Sequence, residues 1–367
     1  MQRLLDFFRL SAYSIMLSFF MIISIFVYKK YIPYELFLRE AIPFYKSSFN
    51  AQVLFMPQTK KVFKEQKLNS KKNLAKQNII SEIINEQNIK FQEEDKNKHL
   101  DYLYKNLLAS NKNFGDISYL KTCFYNTDKK TELTLADFDV KKLLNTSVAF
   151  KDKNFLQPKV LIFHTHSTEM FKDSDPNNIY DGVVGLGKKL CDLLNQKYNI
   201  NAIHHTKRYD FINNKPDKRG AYERMEPEIT KILKENPSIE VAIDIHRDGV
   251  ADSVHLVEKI NNKPTAKIMF VNGICKLLKN DVLVPIKNLP NPYINTNLAL
   301  SLKMQILANK LYPGLNRKIY VNAYRYSLNM LPKSLLIEVG AQTNSKQEAL
   351  NAIDFFAEIL AKVLLEE

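Results

Sequence analysis

The sequence predicts an α/β protein with a largely parallel central sheet flanked by helices, preceded by an apolar N-terminal transmembrane helix. Three observations predict it. From Pro158 onward, short apolar runs alternate with amphipathic stretches of helical length, the pattern of a parallel sheet covered by helices. Three of those runs carry histidine or carboxylate residues at or near their ends: VLIF before His164, VAIDI before His246, and SLLIEV around Glu338. Finally, residues 11–28, SAYSIMLSFFMIISIFVY, hold 18 positions without a charge, about the minimum for a membrane-spanning helix.

The chain has 367 residues, 45% hydrophobic and 25% charged, which is ordinary globular material. Its 53 Lys and Arg against 39 Asp and Glu give a formal charge of +14. Such a field attracts polyanions: nucleic acid, anionic lipid or acidic cell-wall polymers. A Lys- and Asn-rich composition accounts for the same charge as solvated surface. Cys123, Cys191 and Cys275 lie far apart and form no C-x-x-C pair, so neither a disulfide framework nor a thiolate zinc site is expected.

Taken in order, residues 1–30 read as a membrane anchor. Arg3 and Arg9 precede the apolar stretch and Lys29 and Lys30 follow it, so charge leaves its orientation open. No A-x-A-like cleavage site is present, which favours an uncleaved anchor over a secretory signal. Residues 31–110 form a juxtamembrane segment and a spacer rich in Lys, Asn, Gln and Glu. Residues 111–157 form a small N-terminal subdomain or lead-in, in which TELTLADFDVKKLLN offers a strand and an amphipathic turn. Residues 158–367 form the main domain. Strands are expected at 159–163, 201–205, 241–245, near 254–258 and 266–271, at 318–324 and at 334–339. Helices are expected at about 183–198, 220–236 and 298–311, and from 345 to the end. No internal repeat is found.

The strand ends carry the chemistry. In open α/β sheets, ligand and catalytic residues gather at the carboxyl ends of strands. A histidine from each of two strands, with a carboxylate and a later glutamate, would make a zinc site with an open position for water. A histidine at a strand end is more often a satisfied polar residue than a ligand, yet HTH offers two. Strand alternation would send His164 and His166 to one side and Thr165 to the other, one ligating and one orienting. Glu338 in an apolar strand needs a cation, a metal or a proton. Arg247 could supply a plain ion pair, and Asp244 and Asp248 could orient neighbours.

Several motifs are set aside. GVVGLGKK fits G-x-x-x-x-G-K, but Lys189 stands where Ser or Thr is required and no strand precedes it. HRD, residues 246–248, lacks the D-F-G triplet and glycine-rich loop of a kinase. His204 and His205 read as structural, and neither His99 nor His255 looks catalytic.

Four stretches in order, PKVLIFHTHSTE, GAYERMEPEITKILKENPSIEVAIDIHRDG, LYPGLNRKI and SLLIEVGAQTNSKQEAL, resemble the stage II sporulation protein P family. The likeness runs from about Phe138 to the C-terminus. Members are membrane-anchored peptidoglycan hydrolases related in fold to zinc N-acetylmuramoyl-L-alanine amidases. The resemblance implies a bound zinc ion and cleavage of the muramoyl–L-alanine amide, with endopeptidase activity on stem-peptide crosslinks also associated with the family. It implies peptidoglycan and stage II sporulation proteins D and M as partners, a membrane contact through the N-terminal helix, a domain outside the cytoplasm, and no nucleic acid. Residue by residue, His166 best matches the first histidine ligand, with His164 as competitor. His246 matches the second. The remaining ligand is Asp181 or Glu169, Asp181 standing where the wider amidases have glutamate. Glu338 matches the catalytic glutamate, and Arg247 is a substrate-positioning or structural residue. RYSLN, residues 325–329, departs from the family's more familiar RYNQ. Two rivals stay open: a zinc peptidase that cuts only peptide crosslinks, and a non-catalytic scaffold that recruits other hydrolases.

Overall fold

In chain order the elements are α1 (Ile117–Cys123), β1 (Tyr125–Thr127), α2 (Val140–Asn145), β2 (Val160–Phe163), α3 (Val183–Gln196), β3 (Ala202–His204), β4 (Phe211–Ile212), β5 (Lys215–Pro216), α4 (Ala221–Glu235), β6 (Val241–Asp248), β7 (Val257–Ile260), β8 (Lys263–Ala266), β9 (Ile268–Gly273), β10 (Lys276–Lys279), β11 (Val282–Pro285), α5 (Ile294–Leu311), β12 (Ile319–Asn322), β13 (Lys333–Ala341) and α6 (Lys346–Leu365). They come from a computed structural model that describes residues 112–366. The expected anchor and spacer lie outside the described residues. Among the described residues no helix is long and apolar enough to cross a membrane.

Seven strands form the central sheet in the order β1-β12-β9-β13-β6-β2-β3. Five of its six pairings are parallel, and only β13 with β9 is antiparallel. The α/β class with a mostly parallel sheet is therefore observed, but as two parallel blocks running in opposite directions. Residues 112–157 are not a separate body. They supply edge strand β1, and Leu120, Phe138, Leu143 and Phe150 belong to the same core as Val160 and Val241. The strand expected near residue 131 lies instead at Tyr125–Thr127.

Alternation along the strands sorts the two faces. Val160, Ile162, Val241, Ile243, Ile245, Leu335, Ile337 and Val339 point into the main core with residues of α3, α5 and α6. Leu161, Phe163 and Ala242 point the other way, against Ala221, Met225 and Ile229 of α4. Leu336 joins Met269, Val271 and Leu328 on that second side. α6 is started by a capping box in which Ser345 and Glu348 bond each other's backbone, satisfying N–H groups that a helix start leaves unpaired.

Three two-stranded hairpins flank the sheet: β4–β5, β7–β8 and β10–β11. Each turns on two residues with positive φ: Asn213 and Asn214, Asn261 and Asn262, Asn280 and Asp281. That is the backbone of the tight turn whose twist matches paired strands, and Asn and Asp tolerate it best after Gly. Asn213-Asn214 and Asn280-Asp281 carry the same turn signal as Asn261-Asn262 in EKINNKP, and the strands flanking those two turns add to the ones expected from the sequence.

Candidate active site

β2 stops at Phe163, and the following loop is pinned by two buried aspartates. Asp244 accepts from the Thr165 N–H at 2.9 Å and from its hydroxyl at 2.6 Å. Asp210 accepts from the Ser167 hydroxyl at 2.7 Å, the Thr168 N–H at 3.0 Å and the Thr168 hydroxyl at 2.5 Å. Because the chain turns here instead of continuing as a strand, the expected alternation fails and the two histidines diverge.

His164 is buried and fully engaged. Its Nδ1 lies 3.0 Å from the Ile245 carbonyl, which can only accept, so Nδ1 carries the proton. Burial holds His164 near pKa 4 and His204 near 3, so both rings stay neutral. His164 Nε2 therefore accepts from His204 Nε2 at 2.8 Å. Both ring nitrogens of His164 are thus engaged, which sets it apart from His166.

His166 goes to the α4 face. Its ring meets His246 at 5.3 Å and Tyr222 at 5.5 Å, both edge-on, and its buried Nδ1 has no hydrogen-bond partner. Alternation along β6 puts His246 on the same face, beside Asp244. His246 Nδ1 is 3.4 Å from Glu169 Oε2, and Nε2 is 2.9 Å from Asp244 Oδ1 without hydrogen-bond alignment. Burial opposes charge on this imidazole, but the two carboxylates outweigh it and hold its pKa well above the ordinary value. Burial would also raise Glu169, yet His246 and Lys218 keep it well below the usual carboxylate range. Glu169 further accepts from Lys218 Nζ at 2.8 Å and from the Arg247 N–H at 3.0 Å.

Glu338 completes the group. It is the register partner of His246 on the adjacent strand. Part of its side chain reaches the surface, but Oε2 is buried without a partner. Burial pushes its carboxyl up to about 8.

Two expected residues stand apart. Asp181 gives its carboxylate to Lys346 Nζ at 2.9 Å, Asn178 Nδ2 at 2.9 Å and the Asp175 N–H at 3.2 Å. Between the two open carboxylates, the geometry therefore brings Glu169 to the histidines and leaves Asp181 outside. The Arg247 guanidinium donates to the carbonyls of Met170 at 3.0 Å and Asp248 at 3.2 Å. Neither contact leads to Glu338, and Asp248 pairs with Arg317 at 2.6 Å. Three contributors were missed: Asp210, Lys218 and Tyr222. Tyr222 had a signal, since GAYER places a tyrosine at the second position of α4, but the contact with His166 is tertiary.

The fold and these side chains define an α/β protein with a buried histidine–carboxylate cluster at the strand ends of one sheet face. The family model described as Stage II sporulation protein P (SpoIIP) matches residues 33–361, and the chain belongs to that family. A curated relative, stage II sporulation protein P of Bacillus subtilis (strain 168), is 24% identical over 219 residues, covering 56% of this chain and 50% of the relative. The chain thus spans about half the length of the curated relative it matches. Among solved structures, the catalytic domain of CwlV, an N-acetylmuramoyl-L-alanine amidase from Bacillus (Paenibacillus) polymyxa var. colistinus, aligns at 14% identity with a TM-score of 0.30, covering 57% of this chain and 94% of that one. The CwlD amidase of Clostridioides difficile, solved in complex with the GerS lipoprotein, aligns at 16% identity with a TM-score of 0.34, covering 57% and 95%.

Proposed function

We propose that this protein is a zinc-dependent peptidoglycan hydrolase that cleaves the N-acetylmuramoyl–L-alanine amide during sporulation. The observation that carries the reading is the meeting of His166, Glu169, His246 and Glu338 on one sheet face, with Oε2 of Glu338 buried and unpartnered. Family membership supports the setting, septal wall remodelling, with stage II sporulation proteins D and M as partners. The uncharged stretch at residues 11–28 supports a single anchor, and family membership supports a domain outside the cytoplasm.

The residues fit zinc. Two imidazoles and one carboxylate are a common catalytic donor set, and His166 Nδ1 is a buried nitrogen without a partner. His166, His246 and Glu169 would hold the ion, with Asp244 steadying His246 from its other nitrogen. Among the described residues no three such groups already close on a common point, and Glu169 would exchange its contact with Lys218. Bound zinc would polarise the scissile carbonyl and acidify a water molecule.

The rest is done by the chain itself. Glu338 takes a proton from water as the water oxygen adds to the amide carbon, then passes it to the departing amine. This work needs the ionised carboxylate; burial favours the protonated form, and a cation held by the facing histidines would favour the ionised one. The basic surface favours anionic wall polymers.

The test is digestion of purified peptidoglycan by the full-length protein beside His246→Ala and Glu338→Ala, with bound zinc quantified. Release of intact stem peptides from glycan, lost in both variants and on chelation, is expected. Cleavage only at crosslinks would favour the endopeptidase reading. Unchanged wall lysis in either variant would contradict the assigned roles.

A further inference from the structure

Amide hydrolysis puts negative charge on the carbonyl oxygen, and a positioned hydrogen-bond donor there lowers the barrier. Of the groups around Glu338, Asp244 accepts from the Thr165 N–H and hydroxyl, and Glu169 accepts from Lys218 and the Arg247 N–H, so neither is a free donor. Arg247 is turned onto main-chain carbonyls, and Lys218 holds Glu169. What remains beside His166 is Tyr222, whose ring lies 5.5 Å away and carries a hydroxyl.

The geometry points to Tyr222 as a catalytic residue, a hydrogen-bond donor to the reacting amide oxygen; the inference rests on the hydrolase reading above. Its ring is fixed on both sides, against His166 at 5.5 Å and 84° and against Tyr326 at 5.6 Å and 55°. The side chain keeps partial exposure, so substrate can reach it. Tyr326 is itself held in an unusual state: its φ of 52° lies in the left-handed region, uncommon for a bulky residue and maintained only where surroundings enforce it. The enforcement comes from the same helix that carries Tyr222. Glu226 of α4 accepts from Arg325 Nη2 and from Asn329 Nδ2, the latter at 3.0 Å. Buried Asn297 donates to the Leu328 carbonyl at 2.6 Å. The loop behind Tyr222 is therefore clamped to the helix beneath it. Tyr326 lies one ring further from His166 and serves as the backing wall.

The step balances without consuming the phenol. Water oxygen bonds to the amide carbon, one water proton goes to Glu338, and the C=O π electrons move to oxygen, where Tyr222 donates a hydrogen bond. The C=O then reforms, the C–N bond breaks, and the amine leaves with the proton from Glu338. A carboxylic acid and an amine result, and Tyr222 keeps its proton throughout.

Tyr222→Phe keeps both ring contacts and removes only the hydroxyl. In the full-length protein we expect kcat to fall about 100-fold, with KM, zinc content and melting temperature unchanged. Affinity for a tetrahedral phosphonamidate analogue of the muramoyl–alanine amide should fall about 10-fold or more, while affinity of the Glu338→Gln protein for intact substrate should not respond to the added Tyr222→Phe change. Tyr222→Phe with kcat and analogue affinity within about 3-fold of wild type, beside a Tyr222→Ala protein that loses zinc or stability, would reduce Tyr222 to packing and overturn the inference alone. A wild-type protein that releases no product from peptidoglycan would overturn the hydrolase reading and this inference with it.

Discussion

His246 and Glu338 stand opposite one another in neighbouring parallel strands, one at the end of β6 and the other within β13. Strand period places both on the α4 face, the first with Asp244 and the second with Leu336. The proposed metal side and the proposed proton carrier are thereby fixed by backbone pairing, which is stiffer than any side-chain contact could be.

Glu338 is held unpaired at a folded pKa of about 8, against about 4.3 in an unfolded chain. The folded state therefore binds the extra proton between those values, and stability falls as pH rises through that window. Glu338→Gln should abolish hydrolysis, by about 100-fold or more, while raising the melting temperature of the metal-free protein at neutral pH. The gain should vanish near pH 4, where both proteins are neutral at this position. Thermal melts across pH check it, and equal melts at all pH values would contradict the burial of the unpartnered Oε2.

Zinc affinity should sort the carboxylates. Asp244→Asn should weaken binding about 10–100-fold, the usual effect of losing a group that orients a ligand. His166→Ala, His246→Ala and Glu169→Ala should weaken it further. Asp181→Asn should leave it unchanged, since Asp181 is engaged with Lys346 and Asn178. Competition with a chromophoric chelator measures each. Loss of zinc in Asp181→Asn comparable with that in His166→Ala would return Asp181 to the ligand set.

Gly187 lies inside α3, where alanine should gain about 1 kcal/mol of helix propensity. A Cβ there would meet His164 Nε2 at 2.5 Å and His204 Nε2 at 2.6 Å. Both rings are held by hydrogen bonds and the site is buried, so the clash should win. Gly187→Ala should destabilise by about 1–2 kcal/mol in denaturant titration. Adding His204→Ala should give a double variant more stable than additivity allows.

Glu240 joins two lysines with mostly buried side chains: Lys333 Nζ at 2.8 Å and Lys159 Nζ at 3.6 Å. Glu240→Gln should destabilise by about 3 kcal/mol at neutral pH, because it leaves the buried Lys333 ammonium without its counter-charge, while Lys159 keeps Asp152 at 2.9 Å. Burial works to raise the Glu240 pKa, but the Lys151 N–H and Lys333 bring it below its ordinary value. Its contribution is therefore complete above about pH 4.3 and is lost as pH falls through the folded value. The acid limb of the stability curve should be shallower in the variant.

The sequence by itself determined the main strands and helices of the main domain, though not the hairpins β4–β5 and β10–β11, because hydrophobic period is local. Apolar runs at 159–163, 241–245 and 334–339 became β2, β6 and β13, and the amphipathic stretches became α3, α4, α5 and α6. It also offered His164, His166, Glu169, Asp181, His246, Arg247 and Glu338 as candidates, since histidines and charged side chains near the ends of core strands are conspicuous in one dimension. How these side chains are arranged is visible only in the tertiary structure. Which way His164 turns depends on a chain reversal after Phe163 and on His204, a partner from another strand. Whether Asp181 or Glu169 joins the histidines depends on Lys346 drawing Asp181 aside. The role of Arg247 depends on where its guanidinium finds carbonyls. The reversal of β9 against β13 and the contact of Tyr222 with His166 depend on how the elements are assembled. Period and composition encode which face of a strand a residue occupies; the identity of its neighbour is a long-range property, set only when separate elements pack together.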